Sequence, residues 1–428
     1  MQCENYVKNV LHLLQGEIVM YKLYIWGLGA ARKMIADIFI DGTYELLGYI
    51  DNNPRLYGSR LDGVPIKPIR ELQGEEYDYI IASMREYEPV VYQYAKSNLP
   101  LEKLICFFKE EDLQRFADVS MLDINKWKVY LLQEKVKKLE LRLNNAKYEI
   151  VDKYSRTDFF YPTIGSTEEA IHKILTHGCS LLRFGDGEFE IMAGRNRAPF
   201  QQYTSELAVH LKDVLHDSSD KLLMCIAPNY GWLGGYSESI ADGIRSYMTD
   251  AVREAHKNFL RADRVYYDAY MFKVYMPYKD KSKTQERFNL ISKIWEKRDV
   301  VLIEGEQTRT GYGNDLLAKA RSVQRILAPT KNAFDKYEEI LEAAMVVPKD
   351  KLILLVLGPA GKVLGYDLFK HGYQVVDIGQ IDMDYDWYKA GTGYRIGNPY
   401  KYVSQLAECD ILKVCDSSYV NQIIACIR

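Results

Sequence analysis

A chain of 428 residues that is 47% hydrophobic and 27% charged has the makeup of two or three folded domains, which excludes a wholly disordered, collagenous or low-complexity polymer. Lys+Arg 56 against Asp+Glu 59 leaves a net charge of −3, so no global positive field exists to hold a nucleic-acid backbone. The 7 cysteines are scattered without a Cys-x-x-Cys pair, which argues against structural zinc and for a reducing compartment. No run approaches the ~18 apolar residues of a membrane span, and the N-terminus lacks the organisation of a signal peptide. The expectation is a cytoplasmic protein with no membrane span, with peripheral contact at the inner membrane face left open.

The predicted elements fall into three stretches, 1–120, 121–154 and 155–428. In the first, strand-like Leu23–Trp26 runs into Gly27-Leu28-Gly29 and a helical pattern from Ala30 to Ile40. Leu46–Ile50 follows and ends at Asp51-Asn52-Asn53-Pro54, then Tyr79–Ala82 and Leu104–Phe107. Alternating strands and helices predict a parallel sheet. Gly27, Gly29 and Asp51 stand where a dinucleotide loop needs glycines for close backbone approach and an acid at the second strand end. Arg32 occupies the third glycine position, so the fingerprint is incomplete. The stretch resembles the small Rossmann-like modules fused to sugar-nucleotide-modifying enzymes. A nucleotide, nucleotide-sugar or NAD ligand at this loop and a ligand-free degenerate module both stay open.

From about Asp123 to Tyr154 the chain is charged. Val129, Leu132, Val136, Leu139, Leu143, Ala146 and Ile150 alternate at spacings of three and four. That is an a/d seam of about three heptads. It predicts either an amphipathic helix lying on a domain or a short coiled coil that pairs two chains into a homodimer.

The third stretch is again α/β, with strands expected at Ser180–Phe184, Leu222–Ala227, Val265–Tyr270, Val300–Glu304, Ser322–Leu327, Leu352–Leu357 and Gln374–Ile378. The first of these ends in Arg183-Phe184-Gly185-Asp186-Gly187-Glu188. Gly185 and Gly187 allow a sharp turn and close approach to a ligand. Asp186 and Glu188 offer hard oxygen ligands suited to Mg²⁺ or Mn²⁺, and Arg183 is a phosphate donor beside them. The same pair also reads as an ordinary turn with a solvated Glu188. Three further strand ends carry polar, glycine-rich or cationic loops: Glu304 to Asp315, Ala328 to Asn332, and Gly358 to Lys362. In an open α/β sheet ligands bind at such ends, and four together describe a site for a metal-bound diphosphate.

Residues ~160 to ~400 resemble the GT-D-type glycosyltransferase family. The resemblance rests on an ordered series: Arg183–Glu188, Asp280-Lys281-Ser282, Glu304-Gly305-Glu306, Gly313-Asn314-Asp315-Leu316, Pro329–Ala333, Leu357-Gly358-Pro359 with Lys362, Asp377-Ile378-Gly379, and Ile381-Asp382. It implies an α/β transferase with a nucleotide-sugar donor, often UDP-linked, a divalent ion at Asp186 and Glu188, and a glycan, lipid-linked or protein-linked acceptor. On that reading Arg183, Arg309 and Lys331 meet phosphate oxygens. Asn314 and Asp315 read ribose or sugar hydroxyls. Gly185, Asn332, Gly358 and Lys362 complete the donor-binding set. The acceptor base is sought among Asp382, Asp384 and Asp386, which share one face if the segment is extended, with Glu306 as a rival. The family's His-Thr-Ala-Glu-like segment has Tyr402-Val403-Ser404-Gln405 as its nearest counterpart, lacking both His and Glu; Glu408 is a further substitute. The competing readings are an oxidoreductase or epimerase centred on Gly27–Gly29 and a non-catalytic dimeric scaffold.

Overall fold

The computed structural model describes residues 20–150, 159–196, 200–403 and 411–428. The chain divides into two compact units, and the division falls between Glu140 and Leu141.

The first unit is built on strands β1 (Tyr21–Trp26), β2 (Tyr44–Ile50), β3 (Arg60–Leu61), β4 (Val64–Lys67), β5 (Tyr79–Ala82) and β6 (Leu104–Cys106). Their order is β3-β4-β2-β1-β5-β6, parallel except for the β3/β4 pair. Helices α1 (Ala31–Ile38), α2 (Glu88–Lys96) and α3 (Glu110–Arg115) fill the connections. Two apolar clusters cover the sheet, one with Ile35 and Ile38 of α1 and the other with Val90 and Tyr94 of α2. This is the parallel sheet that the alternation predicts. The short hairpin strand β3 was not resolved by the pattern, since two residues carry no periodicity.

Helix α4 (Ile124–Glu149) follows. Trp127 anchors its first turns by donating its indole N–H to the Phe107 carbonyl at 2.7 Å. The seam residues point outward: Val129 is 51% exposed, Leu132 59%, Leu139 64% and Leu143 75%. The amphipathic helix does not lie on its apolar stripe.

The second unit carries one sheet of strands β7 (Thr163–Gly165), β8 (Ser180–Phe184), β9 (Leu222–Ile226), β10 (Val265–Asp268), β11 (Asp299–Gly305), β12 (Ser322–Ala328), β13 (Leu352–Val356), β14 (Gln374–Asp377) and β15 (Ile423–Cys426). The order is β15-β12-β11-β13-β14-β8-β9-β10-β7, and every pairing is parallel. Leu352–Val356 and Leu222–Ile226 are buried throughout. Helices on both faces explain these unbroken apolar runs. The seven expected strands form within two residues of their expected ends. The edge strands β7 and β15 were missed, being short and half-polar.

Helices α5 (Thr167–His177), α6 (Asp186–Met192), α7 (Ser205–His216), α8 (Glu238–Tyr247), α9 (Asp250–Phe259), α10 (Thr284–Ser292), α11 (Tyr337–Met345), α12 (Gly358–Lys370), α13 (Ile381–Lys389) and α14 (Ser417–Val420) complete the unit. One face packs α6, α7, α11 and α12; the opposite face packs α5, α10 and α13. Strand β8 therefore feeds α6 on one face, while its neighbour β14 feeds α13 on the other. Their adjacent ends diverge into the crevice where open α/β sheets hold ligands.

Gly365 lets α12 press onto the middle of the sheet: a Cβ there would stand 2.6 Å from Leu182 Cδ2 and 2.8 Å from Leu355 Cδ1. Gly365→Val overpacks three central strands and is expected to destabilise the chain by about 3 kcal/mol, read as a lowered urea midpoint with unchanged m.

Candidate active site at the carboxyl ends of β8 and β14

The crevice is organised by four charged side chains taken out of water together. Arg183 leaves β8 and donates from Nε to the Asp377 carbonyl at 2.9 Å and from Nη1 to the Ala269 carbonyl at 3.0 Å. Its Nη2 reaches Asp377 Oδ1 at 3.3 Å. Lys362, the fifth residue of α12, lies 3.0 Å from both Glu188 Oε1 and Asp377 Oδ2. Burial alone would raise the Asp377 carboxyl, but the Lys362 and Arg183 charges outweigh it and hold it below its ordinary range. Burial likewise opposes the charged form of Lys362, and the two carboxylates reverse this and raise its ammonium. Gly379, at φ +50, is required here: a Cβ would sit 1.7 Å from Arg183 Nη2.

Glu188 is the third residue of α6, and its Oε2 accepts from the Gly185 N–H at 2.8 Å, satisfying the N-cap amide from within the first turn. Both its oxygens are thus committed, one to the helix end and one to Lys362. Asp186, the first residue of α6, is exposed. The sequence placed both acids at the strand end; the fold turns one inward and one outward. Among the described residues no group of three or more His, Cys, Asp or Glu side chains is placed to hold a metal ion. The donor set fits an ion carried by one protein carboxylate and completed by diphosphate oxygens and water, a habit of Mg²⁺. It does not fit a closed protein cage.

Facing Asp186 are residues that the sequence reading missed. Tyr270 follows β10; burial, with a smaller push from Asp186, raises its hydroxyl to about 12. Exposed Lys273 stands 4.5 Å from the Tyr270 ring centroid and feels the charges of Asp186, Arg183 and Arg395. Asp268 ends β10, half-buried, with Oδ1 accepting the Tyr270 N–H at 2.6 Å. Burial raises its carboxyl to about 6 against the pull of that N–H, Arg183, Lys273 and Arg287. A lone aspartate in Val-Tyr-Tyr-Asp carries no motif; its position at a strand end was the available signal.

The acidic run Asp382, Asp384 and Asp386 is helical rather than extended, which changes which acids share a face. Asp382 and Asp386, four apart, meet the same partners. Asn314 Nδ2 donates to Asp382 at 2.7 Å and Asp386 at 2.6 Å, and fully buried Lys401 lies 2.7 and 2.8 Å from them. Asp384 points elsewhere and accepts the backbone N–H groups of Tyr275 at 2.5 Å and Met276 at 3.0 Å. Burial raises both Asp382 and Asp384. Each is a structural clamp: one fixes the loop after β11, the other the segment after β10. Asp315 is exposed and accepts from the Tyr385 hydroxyl at 2.8 Å. Glu306 is exposed and lies 3.3 Å from Arg428.

The remaining candidates separate in the same way. Buried Arg309, at φ +52, donates to the Tyr400 and Leu412 carbonyls at 2.7 and 2.6 Å. It secures the C-terminal segment instead of reaching for a ligand. Lys331 is exposed. Asn332 and Gly358 hold the segment after Phe200: Asn332 Oδ1 accepts the Gln202 N–H at 2.9 Å, and a Cβ on Gly358 would lie 2.3 Å from the Phe200 ring. Ser404, Gln405 and Glu408 lie outside the described residues.

In the first unit, Gly27 (φ +100) passes against Ser83, whose hydroxyl would be 2.5 Å from a Cβ, whereas Gly29 faces open space. Asp51 Oδ1 accepts the Asn53 N–H at 2.8 Å. Arg32 lies 3.4 Å from Asp62 and over the Tyr49 ring.

Lys362→Met leaves Glu188 and Asp377 buried without their shared cation. The expected loss is about 3–5 kcal/mol, measured by chemical denaturation at neutral pH.

Residues 181–406 match the family model described as the glycosyltransferase GT-D fold, and residues 19–103 match one described as C2185-like, N-terminal. The chain is 32% identical over 262 residues to the probable glycosyl transferase Gly of Streptococcus gordonii, covering 61% of this chain and 38% of that protein. It is 34% identical over 267 residues to the glycosyltransferase GlyD of Streptococcus pneumoniae serotype 4, covering 60% and 32%. It thus spans about a third of the length of these curated relatives. A solved structure described as a new glycosyltransferase (DUF1792) from Streptococcus sanguinis superposes with TM-score 0.59 at 32% identity, over 63% of this chain and all of the other. A second, described as the domain of unknown function 1792 with a distinct glycosyltransferase fold, gives TM-score 0.58 at 31% identity over 62% and 96%. The ordered series of strand-end residues and the all-parallel sheet that carries them agree with these likenesses, and the chain belongs to the glycosyltransferase GT-D fold family.

Proposed function

We propose that the chain transfers a sugar from a nucleoside diphosphate donor, UDP-linked, to a glycan acceptor in surface polysaccharide or protein-glycan assembly. The observation that carries the reading is the exposed Asp186 at the N-terminus of α6, in the crevice between β8 and β14 and beside Lys273 and Tyr270. An exposed carboxylate there accepts a divalent ion, and the ion when bound neutralises charge on the departing diphosphate. Lys273, Arg395 and Lys331 supply cationic groups for phosphate oxygens. Arg183, Glu188 and Lys362 act one layer beneath by fixing the strand end on which Asp186 stands. Asn314 is held by two carboxylates, so its loop is rigid, and Asp315 remains outward to meet a hydroxyl.

The acceptor hydroxyl needs a base. Asp268 has the better placement: it ends the strand next to β9, touches the Tyr270 backbone, and has a carboxyl raised to about 6, poised for proton transfer near neutral pH. Asp382 and Asp384 are engaged in buried structural contacts, and exposed Glu306 lies on the surface beside Arg428. The exposed stripe of α4 supports a homodimer. Valine at the a positions 129 and 136 with leucine at the d positions 132 and 139 favours two parallel strands. For the first unit the proposed ligand is a nucleotide at Gly27–Gly29, on the strength of the left-handed Gly27 beside the start of α1.

Two measurements test the transfer. UDP release from a panel of UDP-sugars is expected to need Mn²⁺ or Mg²⁺ and to fall at least about a hundredfold in Asp186→Ala; metal-independent release, or an unimpaired variant, refutes the metal role of Asp186. The acidic limb of kcat/KM is expected to have its midpoint near pH 6, with rate lost as Asp268 becomes protonated below it. Asp268→Asn is expected to lose about 10²–10⁴-fold; a wild-type limb in that variant excludes Asp268 as the base.

A further inference from the structure

Helix α4 has two faces, and its own chain uses one of them. Trp127, Leu131, Asn145 and Tyr148 are at most 7% exposed. On the opposite face the heptad seam stands in solvent, and its exposure rises along the helix to 75% at Leu143 and 81% at Ile150. Ile150 still follows the helix, its N–H donating to the Ala146 carbonyl at 3.0 Å. Ala146 is the small residue of the seam, and a cavity of about 250 Å³ opens there. Ala146 and Ile150 line it from the helix, and Leu233, Gly234 and Tyr236 line it from the loop after β9. That loop carries Trp232, which is 72% exposed, whereas Trp26, Trp127, Trp295 and Trp387 are at most 4% exposed. The indole rests on Gly234, where a Cβ would stand 2.4 Å from Cζ2. Gly234 thus touches the cavity and the ring together. The loop is pinned, with the Lys279 N–H donating to the Gly235 carbonyl at 3.0 Å and the Ser237 N–H to the Pro277 carbonyl at 2.7 Å.

We propose that the α4 seam of the homodimer continues past Ala146 onto this loop, so that the last α4 turn of a second copy of this chain seats in the cavity and Trp232 anchors the contact. This rests on the homodimer reading above and extends it from the helix to the loop after β9. Three observations favour a second copy. First, the strip from Val129 to Ile150 keeps the a/d spacing that an identical helix fits over about 30 Å. Among the described residues no element covers it, and an exposed apolar strip of this kind marks an association surface. Second, the charges beside the seam suit a parallel pair, in which each g position faces the e position five residues on in the other copy. Lys135 then meets Glu140 once on each side. Arg142 and Lys147, the next such pair, are like-charged, but Asp242 holds Arg142 at 2.8 and 3.0 Å and Asp250 holds Lys147 at 2.9 Å. Third, the cavity lies on the g side of the helix, beside Arg142 and Glu149, the side that the second copy approaches. Its charged groups are already paired: Arg142 with Glu238 at 3.0 Å and Arg245 with Glu149 at 2.7 and 2.8 Å. An ion finds no unmet charge among these four, and the surface left in water is apolar, from Leu143, Ile150 and the indole. Three heptads with alanine at one d position pair weakly. A tryptophan at the end where the seam is thinnest supplies the aromatic anchor that dominates such contacts, and two-fold symmetry applies it twice.

The test uses the intact chain, with sedimentation equilibrium for the dimer Kd and iodide quenching of tryptophan fluorescence for the indole. The iodide-sensitive component that disappears in Trp232→Phe is Trp232. Its quenching constant is expected to fall as the protein concentration is raised through the Kd. Leu139→Glu puts a charge into the seam; it is expected to stay monomeric, with the circular dichroism of the wild type and Trp232 fully quenched at every concentration. Trp232→Ala is expected to raise the dimer Kd at least about tenfold, and Trp232→Phe, which keeps a ring, to stay within about threefold of the wild type. A wild-type dimer whose Trp232 quenching does not change with concentration, or an unchanged Kd in Trp232→Ala, overturns the extension and leaves the α4 homodimer standing. A wild type that is monomeric at every concentration overturns both.

Discussion

The second unit depends on one buried cation. Lys362 sits between Glu188 and Asp377, and all three side chains are buried, so each carboxylate is stable only while the ammonium stays between them. The arrangement joins three elements that the backbone ladder does not join: the start of α6, the start of α12 and the end of β14. Arg183 repeats the device from β8, and its guanidinium forbids any side chain at Gly379. The strand ends around the crevice are therefore held at fixed spacing by charge, in the place where the sheet's own hydrogen bonds stop.

The same logic recurs one layer away. Lys401 is fully buried between Asp382 and Asp386, and Asn314 spans the same two acids. Buried Glu304 pairs with Arg325 and also accepts the Thr310 N–H at 2.8 Å. Each cluster converts a loop into a rigid part by satisfying polar groups where water is excluded. The price is that residues of apparently catalytic type are spent on structure. Arg309, Asp382 and Asp384 all belong to strand-end loops, and all three turn their charge toward backbone or buried partners.

Much of the architecture was legible because it rests on local pattern. Leu352–Val356 and Leu222–Ile226 are apolar at every position, which announces a strand covered on both faces. The Gly185–Glu188 turn was legible as a strand end opening a helix, and the a/d spacing of α4 as a helix with one apolar stripe. The acidic run was misjudged as extended because three alternating aspartates suggest a period of two, while Ile381, Tyr385 and Tyr388 carry the helical period on the other face. Asp268 and Lys273 left no trace, since each is a single polar residue whose meaning comes from neighbours far along the chain.

The sequence by itself determined the α/β class, the parallel strands, the carboxylate turn after β8 and the membership that the ordered motifs imply. These follow from periodicity and from residues within a few positions of one another. Only the tertiary structure decided the use of each charge: that Asp186 faces out and Glu188 faces in, that Lys362 belongs to the core, and that Asp268 gathers with Tyr270 and Lys273. Such choices depend on burial and on which strand lies beside which. In a sheet ordered β15-β12-β11-β13-β14-β8-β9-β10-β7, the neighbours that set a charge's role come from segments as far apart as Arg183 and Asp377.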